Sequence, residues 1–173
     1  MKVYDGSKTD QSDDADPERV KVGIAEYEVT TDGAHLTTSG LGSCIGVALV
    51  DPVAEVAGLV HVMLPRAEEM EDGTAAKFAD MGTELLVEEM ERAGADRNSI
   101  EAKIAGGSDM LDFSESGSSI GVRNAEQVRA TLEEQDIPIV GEDVGGDHGR
   151  SLRLETSSGD LVIKSANETD QVL

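Results

Sequence analysis

Aromatic residues and long apolar runs are both scarce in this sequence. Its 173 residues include no Trp and only four aromatic side chains, namely Tyr4, Tyr27, Phe78 and Phe113. The core must therefore be built from Val, Ile, Leu, Met and Ala. No apolar run approaches the ~20 residues that a membrane span needs, and no basic start followed by an apolar segment predicts a signal peptide. We expect a cytoplasmic protein without membrane insertion.

Cysteine is also nearly absent, with Cys44 as the one thiol. This excludes an internal disulfide framework and a zinc site built from several cysteines. The acidic segment "GEDVGGDHG", residues 141–149, matches no cation-binding loop pattern, so no metal is expected there. "IAGGSDM" lacks the ending of a phosphate loop, and no cofactor is expected. His35 and His148 fall in or beside turns, where we expect exposed side chains without a functional role.

Basic residues are few. The chain has 14 Lys and Arg against 36 Asp and Glu, a net charge of −22. Such a surface repels nucleic acids and anionic membranes, so neither is an expected partner. A disordered acidic chain is the alternative interpretation, but periodic apolar segments favour a folded protein. At molar salt the Debye length falls to ~3 Å, which screens the repulsion. We infer a halophilic source, and partner binding through shape and apolar contact.

The apolar pattern divides the chain into one domain, residues 19–165, and two polar tails. Residues 1–18 predict an acidic disordered tail, and residues 166–173 predict a flexible one. Strands are predicted at 21–30, 35–38, 44–50, 55–64, 99–107, 137–144, 151–156 and 160–165. Helices are predicted at 74–93 and at 124–135, the second starting with a capping box formed by Asn124 and Gln127. Strands outnumber helices and several neighbours are hairpin-linked, which predicts an α+β fold.

Cys44 has two open interpretations. A lone cysteine beside an apolar strand is usually core. However, Gly40 and Gly42 precede it, and glycines let backbone N–H groups turn toward an oxyanion. The predicted hairpin places Cys44 opposite position 62, one residue from His61, and cross-strand neighbours lie ~5 Å apart. The spacing is therefore compatible with a thiol–imidazole pair.

A cysteine nucleophile needs a base, and the base needs an orienting partner. A hydroxyl can accept a hydrogen bond from an imidazole N–H. Thr37, Thr38 and Ser39 are the candidates upstream of Cys44, and the physics of the sequence does not choose among them.

A family resemblance extends over most of the chain. "TSGLGSCIGVALVDPVAEVAGLVHVMLP", residues 38–65, resembles the signature of CheD, the chemoreceptor glutamine deamidase family of bacterial and archaeal chemotaxis. "VGIAEYEV", "AKIAGGSDM", "IGVRNAEQVRATL" and "GEDVGGDHGRSLRLETSSGDLVIK" resemble further parts of that family, in order. The chain departs from it in the acidic N-terminal extension and at Ser39 and Asp109.

The resemblance implies a Cys-His-Thr active site. The cysteine of the family's G-S-C falls on Cys44, the histidine of its H-x-M-L-P on His61, and the threonine six residues before the cysteine on Thr38. The implied reaction is attack by the Cys44 thiolate on a glutamine carboxamide, with His61 as base and acid and Thr38 holding the imidazole. Backbone N–H groups near Gly42, Ser43 and Cys44 would stabilise the oxyanion, and hydrolysis of glutamate methyl esters is a plausible side reaction.

The resemblance also implies a fold and partners. The family fold is a three-layer α/β/β arrangement with mixed sheets. Its substrates are glutamines on the cytoplasmic helices of chemoreceptors, and a second partner class is the CheC family of phosphatases. Met110, Leu111 and Phe113 follow a glycine pair and form either a loop tucked into the core or a docking patch for a partner. The alternative function is a non-catalytic binding module that docks on a CheC-type phosphatase or on receptors.

Overall fold

A computed structural model describes residues 17–66, 74–109, 119–166 and 169–173. Within these ranges the chain forms two α-helices, α1 (Ala79–Arg92) and α2 (Ile120–Glu134). The strands are β1 (Arg19–Lys21), β2 (Tyr27–Thr30), β3 (His35–Leu41), β4 (Ile45–Asp51), β5 (Val56–Val62), β6 (Glu101–Gly106), β7 (Ile139–Val144), β8 (Arg150–Glu155), β9 (Asp160–Lys164) and β10 (Gln171–Val172). No helix in the described ranges is long and apolar enough to cross a membrane.

The strands form two mixed sheets. The central sheet has the order β2-β5-β4-β6-β7, and the outer sheet has the order β10-β9-β8-β3-β1. Pairing is parallel between β6 and β7 and between β1 and β3. The other neighbouring strands are antiparallel. The predicted α+β class with mixed sheets is confirmed.

Two apolar cores stack these sheets and the helices into three layers. Ile45, Val47 and Leu49 of β4 pack with helix residues in a first core. Ala48, from the other face of β4, belongs to a second core between the two sheets. Side chains alternate across a strand, so a strand buried on both faces reads as a continuous apolar run. The order of layers is helices, central sheet and outer sheet, which confirms the three-layer α/β/β prediction.

The hairpin of β4 and β5 is confirmed with a register shifted by one residue. Ile45 pairs with Val62, and Gly46 pairs with His61. The prediction had placed Cys44 opposite residue 62. In the structure it is therefore Ile45, not Cys44, that lies opposite residue 62. Cys44 lies just before the first residue of β4. Register in a hairpin depends on turn geometry, which the apolar pattern does not encode.

The predicted strand over residues 21–30 is wrong as a single element. The chain turns at Ile24 and Ala25, and Ala25 has a φ of 63°. β1 joins the outer sheet and β2 the central sheet. The alternation of side chains continues across the turn, which is why the pattern did not reveal it. This turn carries the chain from one layer to the next.

Both helices start at residues other than the predicted ones. A 3₁₀ turn occupies Ala75–Lys77, and α1 begins at Ala79. α2 begins at Ile120, where Ser119 accepts a hydrogen bond from the N–H of Val122. Asn124, predicted to cap this helix, lies inside it and is fully buried.

The C-terminal segment, expected to be a flexible tail, contributes to the outer sheet. Val172 pairs with Val162 and Gln171 pairs with Ile163. Leu173 packs against the core between the sheets. This strand could not be predicted from the sequence, because two residues are too few to show an alternating pattern.

Asp51 ends β4 as a buried carboxylate that organises the turn. Its Oδ1 accepts hydrogen bonds from the N–H groups of Val53 and Ala54, at 2.9 and 3.0 Å. Its Oδ2 accepts from the N–H of Asp96 at 2.8 Å, which ties the hairpin to the end of α1. Burial raises the pKa of Asp51, but these N–H donors lower it more, so its pKa lies below the usual range.

We expect Asp51→Asn to lower the free energy of unfolding by about 1–3 kcal/mol, since a buried N–H loses its acceptor. The lowered pKa means that the carboxylate stabilises the fold above its ordinary pKa of 3.8. That contribution is lost as the pH falls through the lower, folded-state pKa. Denaturant unfolding at fixed salt should show the gap between the two proteins closing below pH 4. An equal effect of Asp32→Asn, an exposed turn carboxylate, would contradict this account.

Candidate active site

His61 and Thr38 meet in the buried layer between the two sheets. His61 lies on β5, on the face that Ala57 and Leu59 direct toward the outer sheet. Thr38 lies on β3 of the outer sheet, on the inward face that it shares with Leu36. His61 is 0% exposed and Thr38 is 3% exposed. The stacking of two sheets therefore brings together two polar side chains that are 23 residues apart.

The hydrogen bonds of Thr38 define the tautomer of His61. Thr38 Oγ1 donates to the carbonyl of Val22 at 2.7 Å, and the same oxygen lies 2.7 Å from His61 Nδ1. A hydroxyl has one proton, and the carbonyl can only accept. Thr38 must therefore accept from His61, so Nδ1 carries the proton and Nε2 has a bare lone pair.

The Nε2 of His61 has a bare lone pair. It is buried and has no hydrogen-bond partner among the described residues. Burial lowers the pKa of His61 to about 4, because a charged imidazolium would be poorly solvated there. The ring is consequently neutral at physiological pH and able to take up a proton.

Cys44 lies in the same inter-sheet layer, at the entrance to β4. It is half-buried and packs against the core between the sheets. Gly46 is the residue paired with His61, and Cys44 precedes it by two positions, which makes the thiol a diagonal neighbour of the imidazole. Such neighbours are typically about 7–8 Å apart at Cα, within reach of longer side chains. Burial raises the pKa of the Cys44 thiol, so the resting site holds a neutral thiol and a neutral imidazole.

Three hydrogen bonds hold the backbone around Cys44. The carbonyl of Gly42 accepts from the N–H of Ser108, and the carbonyl of Cys44 accepts from the N–H of Gly107, both at 2.8 Å. The carbonyl of Ser43 accepts from the Asn124 side chain at 2.8 Å. In a trans peptide the N–H points away from the carbonyl. These anchors therefore orient the N–H groups of Ser43 and Cys44, which donate no hydrogen bond within the described part of the chain.

Asn124 is the site residue that sequence reasoning missed. Its Nδ2 donates to Ser43 and also to the carbonyl of Met63, at 2.9 Å. It thereby joins the Cys44 loop to the end of β5. The signal was present, since Asn124 shares the inward face of α2 with Val128 and Leu132 at four-residue intervals. A polar residue in that apolar stripe indicates a buried hydrogen bond.

The glycine pair Gly106 and Gly107, at the end of β6, is required for this arrangement. Gly106 has a φ of 120°, and a Cβ there would lie 2.2 Å from the Cys44 carbonyl oxygen. Gly107 has a φ of 67°, and its Cβ would lie 2.9 Å from the carbonyl oxygen of Gly121. No other residue type has both this backbone freedom and the missing side chain. The pair thus lets the loop after β6 and the start of α2 close around Cys44.

A buried arginine supports the glycine pair. Arg150 donates to the carbonyl oxygens of Gly106 and Gly145, at 3.3 and 2.8 Å. It also pairs with Asp143 at 3.0 Å, and its side chain is 1% exposed. Glu142 pairs with Arg129 at 2.6 Å. Two carboxylates of the acidic segment 141–149 are therefore held in ion pairs.

The remaining residues singled out in the sequence lie apart from this site. His35 is on β3, on the face opposite to Thr38. His148 lies beside Asp147, with 3.8 Å between its Nδ1 and the carboxylate. Met110, Leu111 and Phe113 fall outside the described residues, so their predicted docking role stays a prediction.

Comparisons with known proteins identify relatives of the chain. A sequence model of CheD, described as chemotactic sensory transduction, matches residues 63–165. A Haloarcula marismortui protein named "Probable chemoreceptor glutamine deamidase CheD" is 63% identical over 172 residues, which is 99% of each chain. A Natronomonas pharaonis protein of the same name is 43% identical, over 90% of this chain and 93% of that one. The inferred halophilic source agrees with the Haloarcula relative.

A solved structure is also similar. The Bacillus licheniformis hypothetical protein YfiH matches with a TM-score of 0.46 and 15% identity, over 68% of this chain. The match covers 49% of the YfiH chain, so this chain spans about half of its length.

The tautomer of His61 is directly measurable. Long-range ¹H–¹⁵N spectra at neutral pH should show Nδ1 protonated and Nε2 bare, and the ring should stay neutral until the pH approaches about 4. Thr38→Ser keeps the acceptor and should keep the tautomer, whereas Thr38→Val removes it and should lose the preference. A protonated Nε2 in the unsubstituted protein would contradict the hydrogen-bond assignment.

Proposed function

Because the chain belongs to the CheD family, we propose that it deamidates glutamine side chains of chemoreceptors through Cys44, His61 and Thr38. The observation that carries this proposal is the orientation of His61. Its bond to Thr38 leaves the lone pair of Nε2 bare in the layer that also contains the Cys44 thiol. Amide hydrolysis by a cysteine requires a nucleophile, a base and a group that orients the base, and these three side chains are of the required types.

The first step forms a thioester. His61 Nε2 takes the proton of Cys44 as Sγ attacks the carboxamide carbon of the substrate glutamine. Because the resting pair is neutral, the charge separation develops during the attack. Thr38 holds the imidazolium that forms, through Nδ1–H. His61 then gives its proton to the departing nitrogen, the C–N bond breaks, and ammonia leaves.

The oxyanion of this step requires hydrogen-bond donors that are already oriented. The N–H groups of Ser43 and Cys44 fit this role because their peptide units are anchored by Ser108 and Asn124. Gly42 supplies the preceding peptide of the same loop. One such donor typically contributes about 3 kcal/mol to lowering the barrier.

Water completes the reaction. His61 deprotonates a water molecule that attacks the thioester carbon, Cys44 leaves as the thiol, and the product is glutamate. A glutamate methyl ester has the same acyl carbon and a better leaving group. Methylesterase activity at the same site is therefore part of the proposal.

The proposed substrate is the cytoplasmic helical region of a chemoreceptor. A CheC-type phosphatase stays the predicted second partner, and Met110, Leu111 and Phe113 stay a predicted docking patch for a partner. A cytoplasmic location follows from this substrate. The catalytic unit proposed here is the predicted domain, residues 19–165.

Peptide mass spectrometry on a receptor cytoplasmic fragment tests the proposal. The fragment is incubated in concentrated salt with the wild-type protein or with Cys44→Ala. We expect specific glutamines to become glutamate, a gain of about 1 Da each, only with the wild-type protein, since the variant lacks the nucleophile. Conversion by both proteins would exclude Cys44 as the nucleophile. Conversion by neither, with the fold intact and several receptors tested, would favour the non-catalytic binding module.

Asn124 provides a second test because it acts on the loop rather than on the substrate. Asn124→Ala should lower kcat at least about tenfold, while KM changes little. This is less than the full loss of one oxyanion donor, because the variant only loosens the peptide that carries the donor. The matched control is Thr131→Ala, a buried polar residue on the same helix whose contact is with Gln127. That variant should lose stability without losing kcat. An equal fall in kcat for both would show that Asn124 acts through stability alone.

A further inference from the structure

The outer sheet has one face packed against the core and one face free of other described layers. On this free face lies a cavity of about 200 Å³. Four cationic residues line it, Arg19, Lys21, Arg153 and Lys164, together with hydroxyl residues that include Thr37 and Ser39. Leu152 and Val162 line it as well, so the cavity is a concave surface with an apolar floor and four cationic side chains.

This cavity stands out against the charge of the whole chain. The protein has 14 Lys and Arg and 36 Asp and Glu. Four of those 14 cations line this one cavity, and no Asp or Glu does. On an acidic surface with interspersed charges, most charged residues around a cavity would be Asp or Glu. This cavity has only cationic ones.

The sheet register brings the cations together. Lys21 on β1 pairs with Thr37 on β3, Thr37 pairs with Arg153 on β8, and Arg153 pairs with Val162 on β9. Neighbouring strands lie about 4.8 Å apart, so Lys21 and Arg153 are two strand spacings from each other. Arg19 and Lys164 lie two residues further along their own strands, in opposite directions.

Most of this positive charge is not neutralised by the chain itself. Arg153 pairs with Glu155 at 2.8 Å. Within the described residues, Arg19, Lys21 and Lys164 form no ion pair, and all three are exposed. Three cations are consequently available to an external anionic partner.

We propose that this basic cavity docks an acidic segment of the protein substrate, away from the reacting glutamine. A chain of net charge −22 repels an acidic polypeptide over most of its surface. The cavity is a concave surface whose cationic side chains attract carboxylates. Contact pairs in a concave site persist in salt better than long-range attraction does.

The cavity lies across β3 from the active site. Thr38 lines it, and the side chain of Thr38 holds His61 on the inner side of the same strand. A substrate segment bound on the outer face would therefore contact β3, the same strand whose Thr38 positions His61. This part rests on the proposed function, because it takes the deamidated polypeptide as the occupant.

Binding is tested with a peptide that cannot react. A fluorescent Glu-rich peptide without glutamine is titrated with the full chain at several salt concentrations that keep the fold intact. We expect saturable binding that weakens as the salt concentration rises. The Lys21→Gln/Lys164→Gln variant should bind the peptide about tenfold more weakly, because it loses two ion pairs. A peptide with Ser in place of Glu should not bind.

The matched control variant is Arg92→Gln/Arg97→Gln, which removes two cations from another surface. Its affinity should stay within twofold of wild type. If both variants weaken binding equally, net charge rather than the cavity is responsible, and the proposal is overturned. Displacement of the peptide by inorganic phosphate at equal ionic strength would instead assign the cavity to small anions and equally overturn it.

A second measurement identifies the occupant. With a receptor fragment as substrate, Lys21→Gln/Lys164→Gln should raise KM several-fold and leave kcat unchanged, since neither residue touches the reacting atoms. An unchanged KM beside weakened peptide binding would overturn the substrate as the occupant. Cavity-dependent peptide binding by a wild-type protein that deamidates no receptor would refute the proposed function and leave the acidic-segment site in place.

Discussion

The hydroxyl of Thr38 is the point on which the candidate site depends. It donates to the Val22 carbonyl and so has only its lone pairs to offer His61. The hydrogen bond that Thr38 donates to a backbone carbonyl thereby determines which nitrogen of the buried ring has a bare lone pair. The bond between Thr38 and His61 joins the two sheets, so the tautomer of the ring depends on how the sheets stack. A shift between the sheets would move the imidazole as well.

The surroundings of Cys44 are held by backbone rather than by charge. Carbonyls on both sides of the thiol are anchored by N–H groups of the glycine loop, and Asn124 holds the carbonyl between them. Only residues without a Cβ allow the loop after β6 to come this close. Burial raises the pKa of the Cys44 thiol and lowers the pKa of the His61 imidazole, so both groups are neutral in the resting site.

Charged residues act outside the candidate site, on the surface and in the loops. The acidic surface suits concentrated salt, while buried or half-buried ion pairs such as that of Arg150 with Asp143 organise the loops. Three cations on the free face of the outer sheet, Arg19, Lys21 and Lys164, belong to neither group. The total charge of the chain predicts partner binding through shape and apolar contact. The structure adds a local exception, where strand pairing collects cations that are far apart in the sequence.

Much of the fold, and the proximity of Cys44 to His61, could be predicted from the residues. The alternation and the turn residues determined the hairpin of β4 and β5, and the hairpin brought His61 near Cys44. The α+β class followed from the hairpin-linked strands, whereas the three-layer order came from the family resemblance. Predictions failed where a continuous pattern crossed a turn, as at Ala25, and where a polar residue resembled a cap, as at Asn124.

The sequence by itself determined the acidic salt-adapted character, the apolar elements and the family. Local patterns are sufficient for these because they depend on composition and on near neighbours. The choice of Thr38 over Thr37 and Ser39 as partner of His61, on physical grounds, was decided only by the tertiary structure. So were the tautomer of His61, the role of Asn124 and the basic cavity. Each of these depends on which faces of distant strands meet, and that follows from sheet stacking and register rather than from any local pattern.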